Sequence, residues 1–135
     1  MTGAWHCMTD SIEQIDALAR RFFDSIEAGD IDGVSACYAD SVEVWHNTDR
    51  KTEGKAQNLK VLQGFIGHIS GIRYEQRRLS PFQGGFVQQH LLRGRRPDGE
   101  NVELPAAIIC SVVAGKITRL DEYFDSAQVA AFVGR

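Results

Sequence analysis

Near Gly71 the spacing of apolar residues changes from a helical period to a strand period, and this switch constrains the fold more than any other feature. Before it, residues 10–29 read as an amphipathic helix, with Ile12, Ile15, Leu18, Ala19, Phe22, Phe23 and Ile26 on one stripe. Asp10 or Ser11 can cap that helix, with Glu13 and Gln14 placed to answer in a capping box, and Gly29 suits a left-handed ending. Asp30 opens a shorter helix through Val34, Cys37 and Tyr38, ended by Asp40 and Ser41. Val42 to His46 then alternates like a strand, Asn47 to Gly54 reads as a polar loop, and a third helix runs from Lys55 to Gly67. After Gly71, strands are expected at Ile72–Pro81, Gly85–Arg95, Asn101–Val113 and Lys116–Phe124. Pro81 with Gly84-Gly85, Pro97-Asp98-Gly99 and Ala114-Gly115 supply the turns between them. A short turn or helix, Ala127 to Val133, closes one end.

These elements imply an α+β fold in which mainly antiparallel strands coil around three N-terminal helices. At 135 residues the chain matches one domain, expected over 10–135, with residues 1–9 as a disordered tail. A net charge of −3 gives no footprint for nucleic acid or an anionic membrane. Arg77-Arg78 and the group Arg93, Arg95, Arg96 read as solvated strand ends and turns, with a phosphate-binding patch as the alternative. Cys7, Cys37 and Cys110 are odd in number and widely spaced, which argues against a disulfide framework and a thiolate zinc site. No secretory signal and no membrane span is read in the chain, so it is expected to be soluble and cytoplasmic.

Two stretches carry a family likeness. Ala28-Gly29-Asp30-Ile31-Asp32-Gly33, followed by Tyr38-Ala39-Asp40-Ser41-Val42-Glu43-Val44, resembles the helix-to-strand junction of the nuclear-transport-factor-2-like superfamily. Gly115-Lys116-Ile117-Thr118 through Glu122-Tyr123-Phe124-Asp125 is similar to its terminal strand. The superfamily includes steroid isomerases, SnoaL-like polyketide cyclases and limonene-epoxide hydrolases. The resemblance covers about residues 10–130 and implies a cone-shaped barrel with an internal, mostly apolar pocket. One scaffold of this kind hosts unrelated chemistries, so the motifs mark the fold better than the reaction.

The resemblance places His46 where the steroid isomerases keep an aspartate base, and where the epoxide hydrolases hold a water-positioning asparagine. Histidine titrates near neutral pH and can take and return a proton. Trp45 and Asn47 flank it, and a one-residue shift brings Asn47 into the pocket instead. The plainer alternative is a half-exposed, idle histidine at a strand end. Glu122 is the second candidate, aligned with an acidic residue of the hydrolases. Alternation puts Leu120, Glu122 and Phe124 on one face and Asp121 and Tyr123 on the other. Between apolar neighbours a carboxylate is desolvated, which favours its protonated form; alternatively, Arg119 or another basic group simply pairs with it or with Asp121.

Departures from the family pattern matter too. The hydrolases' Arg-x-Asp pair is replaced by Gln89 and Leu91, and of the tyrosine and protonated aspartate with which the isomerases hold an enolate, the aspartate is missing from the 102–112 strand, where Ala107 and Ile109 stand. The same alignment turns Gln89 inward as a ligand donor and His90 outward; the plainer alternative is that Gln88, Gln89 and His90 all lie on a polar dimer face. Phe22, Phe23, Ile26, Leu62, Phe65, Leu104, Ala106 and Ile108 are expected to wall the pocket, although any packed core uses such residues. No metal-ligand spacing, phosphate loop or serine nucleophile elbow is present. The sequence therefore points to an isomerase, cyclase or lyase acting on a small apolar ligand without a cofactor. His46 and Glu122 supply acid–base chemistry, and a homodimer forms through the sheet face. A non-catalytic binder of a hydrophobic ligand and a protein-interaction module are the alternatives.

Overall fold

The computed structural model describes residues 10–134. Helix α1 spans Ile12–Glu27 and begins in a reciprocal capping box. The Gln14 amide donates to Ser11 Oγ at 3.1 Å, and the Ser11 amide donates to Gln14 Oε1 at 2.7 Å. Helix α2 spans Ile31–Cys37, with the Asp30 carboxylate accepting from the Gly33 amide at 2.9 Å. A β-carbon at position 33 has no room beside that carboxylate and the Ser25 hydroxyl, which accounts for the glycine.

Strand β1 (Tyr38–His46) follows directly, so Tyr38 to Ser41 extend as strand rather than finishing a helix. Burial wins over the local turn chemistry here, because Tyr38 is needed in the core. The expected loop contains a two-residue strand, β2 (Thr52–Glu53), before helix α3 (Lys55–His68). Strands β3 (Ser70–Phe82), β4 (Gly85–Arg95), β5 (Asn101–Val113) and β6 (Lys116–Tyr123) complete the series, and helix α4 spans Ser126–Val133.

The six strands form one open sheet in the order β2-β1-β6-β5-β4-β3, with β2 and β3 at its edges. All pairs are antiparallel except β1 with β6. That parallel pair joins the two distant family-like stretches and sets His46 opposite Glu122. Register shifts in β3, and a positive φ at Gln76, mark a bulge of the kind that bends a strand. The helices pack on the concave side of the curved sheet. Phe22, Phe23, Tyr74 and Phe86 form the aromatic centre, with Phe23 edge-on to Tyr74 at 5.1 Å. The α+β expectation matches this architecture. The expected tail over 1–9 lies outside the described residues.

The family alignment misplaces one parity, that of β4. Phe86, Gln88, His90 and Leu92 point inward, whereas Gln89 is exposed. The turns fix β4 so that its large apolar residues, Phe86 and Leu92, meet the core, and that parity leaves Gln89 outside.

Candidate functional site

A cavity of about 490 Å³ opens between α3, α4 and the inner face of the sheet. Leu62 and Phe65 of α3, Leu104 of β5 and Phe124 after β6 give it an apolar wall. Val129, Phe132 and Val133 of α4 border it on another side, and Phe132 stacks on Phe65 at 6.0 Å. Behind this chamber lies a recess of about 40 Å³, bounded by Phe22, Ile26, Tyr38, Ile108 and Leu120. His46, Asn58, Leu62, Tyr74 and Glu122 line both spaces.

His46 Nε2 stands 3.3 Å from Glu122 Oε1, with the two side chains only 20% and 16% exposed. Burial lowers the imidazole pKa, but the hydrogen bond and negative charge of Glu122 outweigh it and leave His46 raised above its ordinary 6.5. The ring lies nearly parallel to Phe124, 5.8 Å between centroids. Arg119, the expected competitor for Glu122, bonds Asp121 at 2.8 Å instead.

The neighbours of His46 do other work. Trp45 points to the opposite sheet face and packs edge-on against Tyr123 at 5.4 Å, so it lines neither space. Alternation along β1 requires this, since Val42 and Val44 share the buried parity with His46. Asn47 does not line the cavity either. Its amide donates to Glu122 O and its Oδ1 accepts from the Phe124 amide, both at 3.0 Å. Asn47 thus clips the parallel β1–β6 pairing in the register that sets the dyad. Gln89 lies on a larger, open depression of about 850 Å³ across the outer sheet face, beside Arg78, Leu91 and Tyr123. No carboxylate lines that depression, and its Arg77 is committed to Asp24 and Glu27.

Asn58 and Tyr74 line the cavity without having been anticipated there, and Gln88 and His90 are buried on the inward side of β4 without lining it. Asn58, the one buried residue of α3, accepts from the Tyr38 hydroxyl at 2.7 Å and donates to Glu53 at 3.0 Å. Tyr74 reaches the cavity from β3, edge-on to His90 at 4.6 Å. His90 Nδ1 lies 2.9 Å from Gln88 Nε2, and burial pushes its pKa down to about 4, so the ring is neutral. The parity that Tyr74 shares with Ile72 was a usable signal for it. Asn58, one turn before Leu62, was another. No group of three or more His, Cys, Asp or Glu side chains is placed to hold a metal ion among the described residues.

The SnoaL-like domain family matches residues 19–120, which contain α1 in large part and nearly the whole sheet. The chain belongs to that family. Its fold is that of the nuclear-transport-factor-2-like superfamily. Among solved structures this SnoaL-like domain is similar to a candidate polyketide cyclase from Xanthomonas campestris pv. campestris. The two are 19% identical with a TM-score of 0.78, over 89% of this chain and 96% of that one. A candidate hydroxylase from Streptomyces galilaeus, AclR, is 12% identical with a TM-score of 0.81, over 92% and 98% of the two chains. A Catenulispora acidiphila protein with a ketosteroid isomerase-like fold, solved with trimethylamine, is 12% identical with a TM-score of 0.75, over 87% and 92%. At such identities the likeness speaks for the fold. No curated protein has a significantly similar sequence. No helix of the SnoaL-like domain is long and apolar enough to cross a membrane among the described residues.

Proposed function

We propose that this SnoaL-like domain is an isomerase-, cyclase- or lyase-type enzyme that moves a proton on a small apolar substrate held in the inner chamber. The observation that carries this reading is a close His46–Glu122 pair, largely withdrawn from water, at the floor of an apolar cavity of about 490 Å³. The neutral imidazole takes a proton from substrate carbon or hydroxyl, and the Glu122 carboxylate balances the positive charge that forms on the ring. Returning the proton to a second substrate atom completes the turnover, and the scheme calls on no cofactor. Phe65, Leu104 and Phe124 contact the substrate body, with Phe22, Ile26 and Leu120 behind it. The candidate polyketide cyclase among the similar structures agrees with this choice of reaction class.

The test is a panel of ketones and epoxides offered to wild type and His46→Ala. We expect at least one substrate to turn over, and His46→Ala to lose about 10²–10⁴-fold in rate. Equal turnover by both proteins on every accepted substrate removes His46 from the chemistry. Tight binding with no product anywhere favours a ligand carrier instead.

A second copy of the chain is our proposal for the cover of the outer sheet face, where Ile109, Val113 and Tyr123 are 42%, 57% and 44% exposed. Cys37 and Cys110, buried and unpaired, support a reducing compartment, the cytoplasm.

A further inference from the structure

Glu122 brings a negative charge into the chamber and has a single partner there. Its side chain is 16% exposed, His46 Nε2 lies 3.3 Å away, and the carboxylate accepts from no other group among the described residues. Basic side chains on the surrounding elements are engaged elsewhere. Lys55 Nζ lies 3.3 Å from both Asp40 Oδ1 and Tyr38 O. Arg77 pairs with Asp24 and Glu27 at 2.9 and 3.0 Å, and Arg119 with Asp121 at 2.8 Å. No lysine or arginine lines the chamber or the recess. Whenever the His46 ring is neutral, as a base must be, Glu122 therefore stands in apolar surroundings without a countercharge, which is a costly state. A proton on His46 is one remedy. Burial opposes it, yet Glu122, with smaller help from Glu53 and Asp49, leaves the ring above its ordinary 6.5, so the chamber floor already favours a buried cation. A positively charged ligand is the other remedy.

The walls decide what kind of cation fits. A metal ion needs several oxygen or nitrogen ligands, and no group of three or more His, Cys, Asp or Glu side chains gathers among the described residues. The chamber offers carbon instead, from Leu62, Leu104 and Val129 and from the rings of Phe65, Phe124 and Phe132. Phe124 lies nearly parallel to the imidazole at 5.8 Å, so a charge that neutralises Glu122 sits beside an aromatic ring as well. An alkylated ammonium is bulky and weakly hydrated, loses little on leaving water and is attracted to aromatic faces. At about 490 Å³ the chamber has room for such a head and an apolar body.

We propose that the chamber selects an apolar molecule carrying an alkylated ammonium group, its nitrogen set against Glu122 and the Phe124 ring and its body lying between α3 and α4. The inference narrows the substrate class of the function proposed above and rests on its reading of the chamber. The ligand's charge and a proton on His46 compete for one carboxylate, so each weakens the binding of the other. His46 is faced by Glu122 on β6, Glu53 on β2 and Asp49 in the turn after β1. Tyr38 and Tyr74, whose phenols burial pushes upward, stay neutral, and His68 of α3 lines the chamber with its Nε2 3.3 Å from Val133 O. Molecules bearing a carboxylate or phosphate meet like charge at the floor and are turned away.

Two probes of nearly equal shape test this without any turnover: benzyltrimethylammonium, and neopentylbenzene, in which carbon replaces the charged nitrogen. Equilibrium dialysis against wild type should show the cation bound at least about tenfold more tightly than the hydrocarbon. Glu122→Gln should weaken the cation about tenfold and the hydrocarbon less than about twofold. Unchanged hydrocarbon affinity also shows that the variant chamber is intact. Cation affinity should rise from about pH 6 to about pH 8 as His46 loses its proton, while hydrocarbon affinity stays flat. That rise should persist in His68→Gln and vanish in His46→Gln. A hydrocarbon bound as tightly as the cation, a cation indifferent to Glu122→Gln, or a pH dependence that follows His68 overturns the proposal. If the hydrocarbon alone binds, the apolar chamber and its enzyme reading stand while the cation reading falls. Failure of both probes to bind wild type overturns the chamber and the proposal together. Absence of turnover in the substrate panel leaves the preference for positive charge standing, so the two readings fail separately.

Discussion

His46 is subject to two opposing influences. Burial favours the neutral ring, while the Glu122 carboxylate at 3.3 Å favours the charged one and prevails. A base must be neutral to accept a proton, so activity should rise with pH and level off above a midpoint higher than 6.5. In Glu122→Gln the largest raising influence disappears, leaving only the weaker charges of Glu53 and Asp49 against burial, so the midpoint of kcat/KM should fall to lower pH. Because the neutral amide of that variant cannot compensate an imidazolium, the plateau should fall too, by about 10²-fold or more. A pH–rate profile whose midpoint ignores Glu122→Gln contradicts the coupling. Asn47 shows how a neighbour can matter without touching ligand, since its two bonds at 3.0 Å hold the strands that carry the pair.

Among the elements, α3 and α4 explain why the interior is hollow. Of the α3 residues only Asn58 is buried, because Leu62 and Phe65 face open space rather than a packed sheet. α4 borders the far side and is pinned at both ends. The Asp125 carboxylate accepts from the Ala127 and Gln128 amides at 2.8 and 3.1 Å, and Arg96 Nη1 donates to Ala131 O at 2.8 Å. Gly94 on β4 lets the helix seat, since a β-carbon there runs into the Ile69 side chain next to Phe132. Gly94→Ala should cost about 1–3 kcal/mol through overpacking and lower Tm by several degrees in thermal denaturation. An unchanged Tm means that Ile69 and α4 shift at no cost.

For the molecule as a whole, the sheet divides two environments. Its concave face meets the helices and the chamber, and its outer face presents Ile109, Val113 and Tyr123 on adjacent strands β5 and β6. If a second copy covers that face, sedimentation velocity should report a dimer, and Ile109→Glu should shift it to monomer by burying an unpaired charge. A wild-type monomer at all accessible concentrations rejects the sheet-face assembly. The hydrophobic periods, a cap at Asp10 or Ser11 and the turn glycines specified the elements from sequence, β2 and the first residues of β1 apart, because each is a property of a few consecutive residues. The inward set Leu120, Glu122 and Phe124 was legible for the same reason. Tertiary structure alone decided that His46, not Trp45 or Asn47, meets Glu122, and that Gln89 faces out. Those outcomes depend on register between strands distant in the chain and on which side of each strand the core claims, and neither is encoded in any short window.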